Sequence, residues 1–161
     1  MLVMICGLPG TGKTTLAKAV AERINAVHIS SDTVRMKMLE ERTYSAEEKE
    51  KIYDTILEEA EKQLKEGKNV ILDATFYKKA LREKVRVIAA DFFIVECTTH
   101  ENLIKERIFA RKKEETESEA DYKVYKKVKT EFEPIAERHF AVDTSLPLEK
   151  QVELVMKYIE G

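Results

Sequence analysis

Residues 7–15 read GLPGTGKTT. The apolar run LVMIC (2–6) leads into them, and a helical stripe of Leu16, Ala17, Val20, Ala21 and Ile24 leads out. Gly7, Gly12, Lys13 and Thr14 fit the spacing G-x-x-x-x-G-K-[ST]. A strand before and a helix after form the context in which that spacing cradles phosphate. Glycines let the backbone curl until successive N–H groups face one point. The helix starting near Lys13 adds the positive end of its dipole. Lys13 is expected at the β- and γ-phosphates of ATP, and the Thr14 hydroxyl on Mg²⁺. Thr15 is a lesser second contact. Gly7, Leu8, Pro9, Gly10, Thr11, Gly12, Lys13, Thr14 and Thr15 together make the expected ATP cradle.

Four more apolar runs follow: AVHIS (26–30), NVILDAT (69–75), DFFIVEC (91–97) and HFAVDT (139–144). Their continuous apolar centres suit parallel strands buried on both faces. Helical stripes separate them. Ile52, Ile56, Ala60 and Leu64 form one, with Ser45 and Glu48 at capping-box spacing and Gly67 at its stop. Leu81, Val85 and Ile88 form another, Leu103, Ile104 and Ile108 a third. Val124, Val128 and Phe132 form a fourth, broken at Pro134, and Leu148, Val152, Val155 and Ile159 the last. This alternation predicts a parallel sheet with helices on both faces, in a single domain over residues 1–161.

Composition narrows the function classes. The chain has 161 residues and a formal net charge of −2, so no global basic field points to nucleic acid or membrane. Cys6 and Cys97 lie in strand-like runs and read as buried thiols. The three histidines show no metal-ligand spacing. With no signal peptide or membrane-length apolar run, the expected location is the cytoplasm. No N-K-x-D guanine reader occurs, which sets aside the common GTPases, and a motor ATPase needs a larger body. The compact kinases remain. They need a base beside the acceptor, a mobile cationic lid and a nucleoside pocket.

Asp32, just beyond the second strand, is the candidate base. Strand carboxyl ends are where ligands sit in such sheets, and the phosphate loop leaves the same edge. Arg35 lies one helical turn further on and is the candidate acceptor anchor. The bland alternatives are a helix cap for Asp32 and a solvated surface cation for Arg35. Asp73 ends the third strand and is expected to hold Mg²⁺ or position Lys13. In KERIFARKKEE, Arg107 and Arg111 are four apart, which predicts one helical face beside a polar hinge. They are expected to close on ATP from a lid, one near the adenine and one on the transferring phosphate. Lys112 and Lys113 are weaker candidates. Thr75, Asp143 and Thr144 fall at the same sheet edge, the last two beside the expected adenine site.

The set resembles the small P-loop kinases related to the kinase domain of polynucleotide 5′-kinases, a group that includes AAA_33, zeta-toxin-like and gluconate-kinase-like proteins. The resemblance covers most of the chain. It rests on GLPGTGKTT, on SDTVR, on VILDAT, on the paired arginines of KERIFAR and on SEADYKVYKKVKTEFEP. It implies a three-layer α/β P-loop NTPase fold, with a five-stranded parallel sheet in the order 2-3-1-4-5 and a helical lid over about 105–122. It also implies catalytic roles for Lys13, Asp32 and Arg111, and phosphate contact for Arg35. The expected cofactors are ATP and Mg²⁺. The first expected acceptor is a polynucleotide 5′-hydroxyl, the second a small polar metabolite or nucleoside. A nucleotide-dependent switch without transfer and a simple ATPase are the readings from other classes. No D-G-[FY]-P-R-like segment appears, which argues against adenylate-kinase-type substrates. Residues 33–66 are the expected roof of the acceptor site.

Overall fold

The computed structural model describes residues 1–38, 45–111 and 115–161. Five strands, β1 (Leu2–Cys6), β2 (Ala26–Ser30), β3 (Asn69–Asp73), β4 (Phe92–Thr98) and β5 (Phe140–Asp143), form one parallel sheet. Their order is β2-β3-β1-β4-β5, as the resemblance implied. β1 is central and buried along its whole length. Alternate residues point to opposite faces, so β1 feeds two cores. Leu2, Met4 and Cys6 pack with Ile52 and Ile56 of α3 (Ala46–Lys65). Val3 and Ile5 pack with Leu16 and Val20 of α1 (Lys13–Ile24) and Val155 of α7 (Leu148–Glu160). Burying one such aliphatic side chain contributes about 1.5–3 kcal/mol, against about 1–2 kcal/mol for ordering one residue of backbone. The central strand therefore supports its own ordering, and its carboxyl end becomes a firm base for the loop that follows.

The helix stripes become α1, α3, α4 (Lys79–Arg86), α5 (Glu101–Ala110), α6 (Glu115–Glu131) and α7, while α2 (Ser31–Met38) follows β2 directly. The Ser45 side chain accepts the Glu48 N–H at 3.2 Å, the cap that the spacing predicts. Boundaries differ in places. α4 stops at Arg86, so Ile88 packs on the core from outside the helix. β3 stops at Asp73, leaving Thr75 in the segment beyond. Because α2 begins at Ser31, Asp32 sits in a first helical turn rather than at a cap. Residues 39–44 of the expected acceptor roof and residues 112–114 of the expected lid, with Lys112 and Lys113, lie outside the described residues.

One side chain ties the far end of α6 to the sheet. Arg82 of α4 is 1% exposed. It donates to the carbonyls of Phe76 at 2.8 Å, Glu133 at 3.0 Å and Pro134 at 3.3 Å. The Glu133 N–H in turn donates to the Tyr77 carbonyl at 2.8 Å. A third, smaller core lies under α5 and α6, where Ile104, Ile108 and Tyr125 meet Leu8 of the phosphate loop. Tyr122 stacks on Tyr125 at 5.7 Å and meets the Phe109 ring at 6.3 Å. Both cysteines are free and buried. No helix among the described residues is long and apolar enough to cross a membrane.

Candidate active site

The carboxyl ends of β1, β2 and β3 meet at one rim, and the phosphate loop leaves from β1. Gly7 has φ +142°, and a Cβ on it would lie 2.6 Å from the Cys97 carbonyl oxygen. The sheet therefore admits only glycine where the loop departs. Gly12, at φ +87°, is the N-cap of α1, so the loop turns directly into a helix N-terminus. The Thr11 hydroxyl donates to the Leu8 carbonyl at 2.7 Å, and Lys13 Nζ donates to that carbonyl at 3.1 Å. The loop is thus closed on itself with Lys13 folded over it. Burial pulls the Lys13 pKa below the ordinary lysine value, and the Asp73 carboxylate is the leading charge opposing that shift.

Asp73 pairs in register with Ile5 of β1 and Ser30 of β2, and it is 2% exposed. Its Oδ2 accepts the Thr14 hydroxyl at 2.8 Å and lies 3.0 Å from His28 Nε2. An ionised carboxylate only accepts, so His28 carries its proton on Nε2 in this pair. Thr14 commits its hydroxyl hydrogen to Asp73 and keeps its oxygen lone pairs. A threonine oxygen beside a carboxylate is a hard-oxygen donor set suited to Mg²⁺, which takes few protein ligands and keeps water and phosphate as the rest. His28 carried no signal in the sequence beyond being a lone histidine in a strand.

Asp32 and Arg35 project from the first turns of α2. Arg35 Nη1 donates to Asp32 Oδ1 at 3.2 Å, and Arg35 Nε lies 3.2 Å from Glu48 Oε1. Arg35 and Glu48 are buried, while the Asp32 side chain is 69% exposed. Arg35 is therefore a fixed, partnered guanidinium with an accessible carboxylate beside it. Glu48, which the sequence presents as a capping residue, is also the buried counter-charge of Arg35. Tyr53, one turn along α3, accepts the Phe76 N–H at 3.0 Å and braces the chain after β3.

A cavity of about 350 Å³ joins these parts. Pro9, Gly10, Gly12, Lys13, Thr14 and Thr15 line its loop side, with Asp32, Arg35 and Asp73 beyond. Lys49, Tyr53, Thr75 and Tyr77 build the far wall, and Arg111 with Asp121, Val124 and Lys127 of α6 the cover. Most of the expected site residues thus meet in one space. Gly7, Leu8 and Thr11 lie behind it as the frame of the loop. Arg107 does not line the cavity; its Nη1 donates to the Thr11 carbonyl and the Thr144 hydroxyl, each at 3.2 Å, and its Nη2 to the Thr144 carbonyl. α5 ends at Ala110 with Arg111 as its C-cap, and Arg111 lines the cavity while Arg107 holds the loop and Thr144. Asp143 accepts the Ser145 N–H at 2.9 Å and serves the turn after β5.

A family model for AAA_33, described as an AAA domain, matches residues 2–135. The chain belongs to this family. The AAA_33 chain is 36% identical over 126 residues to an uncharacterized protein of Mycobacterium tuberculosis, covering 68% of this chain. It spans 25%, about a quarter, of the length of that curated relative. Among solved structures, a gluconokinase from Sinorhizobium meliloti 1021 superimposes with a TM-score of 0.75 at 21% identity, covering 98% of this chain and 90% of that one. The Mycobacterium tuberculosis APS kinase CysC, in complex with AMPPNP and APS, gives 0.77 at 16% identity, covering 99% and 97%. At such identities the likeness is one of fold. That fold is the α/β P-loop fold, with the parallel sheet order seen here. A gluconokinase and an APS kinase on one fold mean that the sheet does not choose the acceptor.

Proposed function

We propose that the protein transfers the γ-phosphoryl group of ATP, with Mg²⁺, to an acceptor hydroxyl. The observation carrying this reading is that the loop residues Lys13 and Thr14, the Asp32 carboxylate and Arg111 line one cavity. The loop amides and Lys13 hold the donor phosphates. Thr14 and Asp73 would hold Mg²⁺, which would supply positive charge beside the donor phosphates. The acceptor oxygen attacks the γ-phosphorus and loses its proton to Asp32. The bond from that phosphorus to the β–γ bridging oxygen breaks, and ADP leaves with the electron pair. Arg111 balances the charge that builds on the moving group. Arg107 steadies the loop from behind, on the side of Thr144.

The first acceptor is the 5′-hydroxyl of a polynucleotide, supported by the Asp32–Arg35 spacing of SDTVR. A small polar metabolite is the second, favoured by the modest cavity of about 350 Å³. Transfer from terminally labelled ATP to 5′-hydroxyl DNA and RNA, nucleosides, sugars and simple alcohols tests the reading. Lys13→Ala is expected to abolish transfer. Asp32→Asn is expected to lower kcat by roughly two to four orders of magnitude while ATP still binds. Full activity of Asp32→Asn would remove Asp32 as the base. ATP binding without transfer to any acceptor would favour a nucleotide switch instead.

A further inference from the structure

The half of the cavity beyond Asp32 holds two lysines, Lys49 and Lys127, that carry no ion pair among the described residues. Arg35 is answered by Glu48 and Asp32, each at 3.2 Å. Lys49 and Lys127 form no ion pair among the described residues, although the chain has 30 acidic residues to offer. Lys65, Lys79 and Lys157 each meet a glutamate one turn away on their own helix.

The first turns of α3 explain how Lys49 escapes this. Glu47, Glu50 and Asp54 are exposed, whereas Lys49 is half-buried on the face it shares with Tyr53. Its ammonium rests 4.9 Å above the Tyr77 ring, a cation–π contact in place of an ion pair. An acidic helix thus turns Lys49 into the cavity, keeps Glu47, Glu50 and Asp54 outside, and commits its buried Glu48 to Arg35. Lys127 faces the same space from the opposite wall. It lies six positions before Glu133, whose N–H is bonded to the Tyr77 carbonyl. Lys49 therefore belongs to the Tyr77 side of the cavity, and Lys127 reaches it from the α6 cover. Lys49 is half-buried and Lys127 exposed at the cavity mouth, and a half-buried cation with no ion pair among the described residues is stabilised when a ligand brings the anion.

We propose that the acceptor already carries a phosphate group, and that Lys49 and Lys127 bind it while Asp32 takes the proton of the hydroxyl. Two ammonium groups from opposite walls match the charge of about −1.5 to −2 on a phosphate monoester better than the single charge of a carboxylate. Lysine suits this role as a compact charge that needs no fixed angle of approach. The inference rests on the phosphotransfer reading above. A nucleic-acid end and a small phosphorylated metabolite are the two sources of the same chemistry.

The test uses matched acceptors with labelled ATP: a nucleoside and its 3′-phosphate, a sugar and its monophosphate, gluconate as the carboxylate control, and a 5′-hydroxyl oligonucleotide. The phosphate-bearing members are expected to show kcat/KM at least about tenfold higher than their partners. Lys49→Gln and Lys127→Gln should each raise KM for those members by roughly ten- to a hundredfold, the range for losing one charged hydrogen bond. Calorimetric ATP affinity and the melting temperature should stay at the wild-type value. Preference for the oligonucleotide assigns the phosphate to nucleic acid, and preference for a monophosphate assigns it to a metabolite. Equal use of phosphorylated and plain members, preference for gluconate, or an unchanged KM in both variants overturns the proposal. If nothing is phosphorylated, the same compounds are titrated into protein loaded with a non-hydrolysable ATP analogue. Binding of phosphate-bearing members that Lys49→Gln weakens keeps the subsite and removes the transferase reading. No binding removes the subsite.

Discussion

At the scale of single residues, the loop is set by what its neighbours exclude. Gly7→Ala places a methyl group 2.6 Å from the Cys97 carbonyl on backbone at φ +142°. A loss of about 1–3 kcal/mol in unfolding free energy is expected, together with weaker ATP binding. A denaturant midpoint read beside calorimetry checks both. Behind that glycine, burial pushes the Cys97 thiol up to about 12 from its ordinary 9.0. The sign follows directly: at pH 9 a free cysteine is half thiolate, while Cys97 in the folded chain keeps its proton. Since the thiolate is the nucleophile, raising the pH from 7 to 9 should leave Cys97 unmodified by iodoacetamide until the protein is unfolded. Mass spectrometry reads the outcome. Lys13, Thr14, Asp32 and Asp73 were legible in the sequence because each sits at a strand's carboxyl end or in a fixed spacing. His28 and Lys49 were not. A lone histidine mid-strand reads as core, and a lysine amid glutamates reads as surface, until the fold decides which way each points.

Elements carry the next set of consequences. β2 is an edge strand, and His28 reaches diagonally across the β2–β3 ladder to Asp73. Its single hydrogen bond aims the carboxylate that in turn holds Thr14. On the Mg²⁺ reading, His28→Ala should weaken Mg²⁺-dependent ADP binding by about ten- to a hundredfold, with His28→Gln recovering part of it. Metal-free ADP affinity should hardly change. Titrating Mg²⁺ against bound nucleotide measures this, and an unchanged Mg²⁺ midpoint would make His28 a packing residue only. Arg82 plays the corresponding part between α4 and α6. Replacing it by Met leaves the carbonyls of Phe76, Glu133 and Pro134 without their donor and Glu137 without the guanidinium 3.9 Å away. About 3–5 kcal/mol of stability is expected to go, seen in urea unfolding. The stripes of α1, α3 and α7 were readable because their apolar spacing is regular. The break between α5 and α6 was readable as well, from the polar hinge between two apolar stripes. The different partners of Arg107 and Arg111 were not, because spacing says nothing of where two long side chains end.

Across the whole molecule, two large cores grip the sheet and a small one sits under α5 and α6. A domain opens first where least apolar surface is buried. Amide exchange should therefore be fastest in α5 and α6 and slowest in β1 and β3. Saturating ATP should slow α5 and α6 most, because Leu8 of the loop belongs to their core and Arg111 lines the same cavity as the loop. Uniform exchange across all elements would mean that the cover does not open separately. The parallel sheet was legible from five apolar runs alternating with helices, and its strand order from the resemblance alone. The cavity was not, because it depends on how α6 is pinned to Tyr77, and Arg82 advertises nothing of that in a row of charged helix residues.

The ring cluster on the cover also makes the protein easy to watch. The chain contains no tryptophan, and Phe109 is a half-open ring beside Tyr122 at the outer edge of the small core. Phe109→Trp would install a sole indole fluorophore, optically separable from every tyrosine, next to the element expected to shift. Its emission in a rapid-mixing experiment would time the closing of the cover before any phosphate moves, so closure and chemistry could be clocked in the same sample.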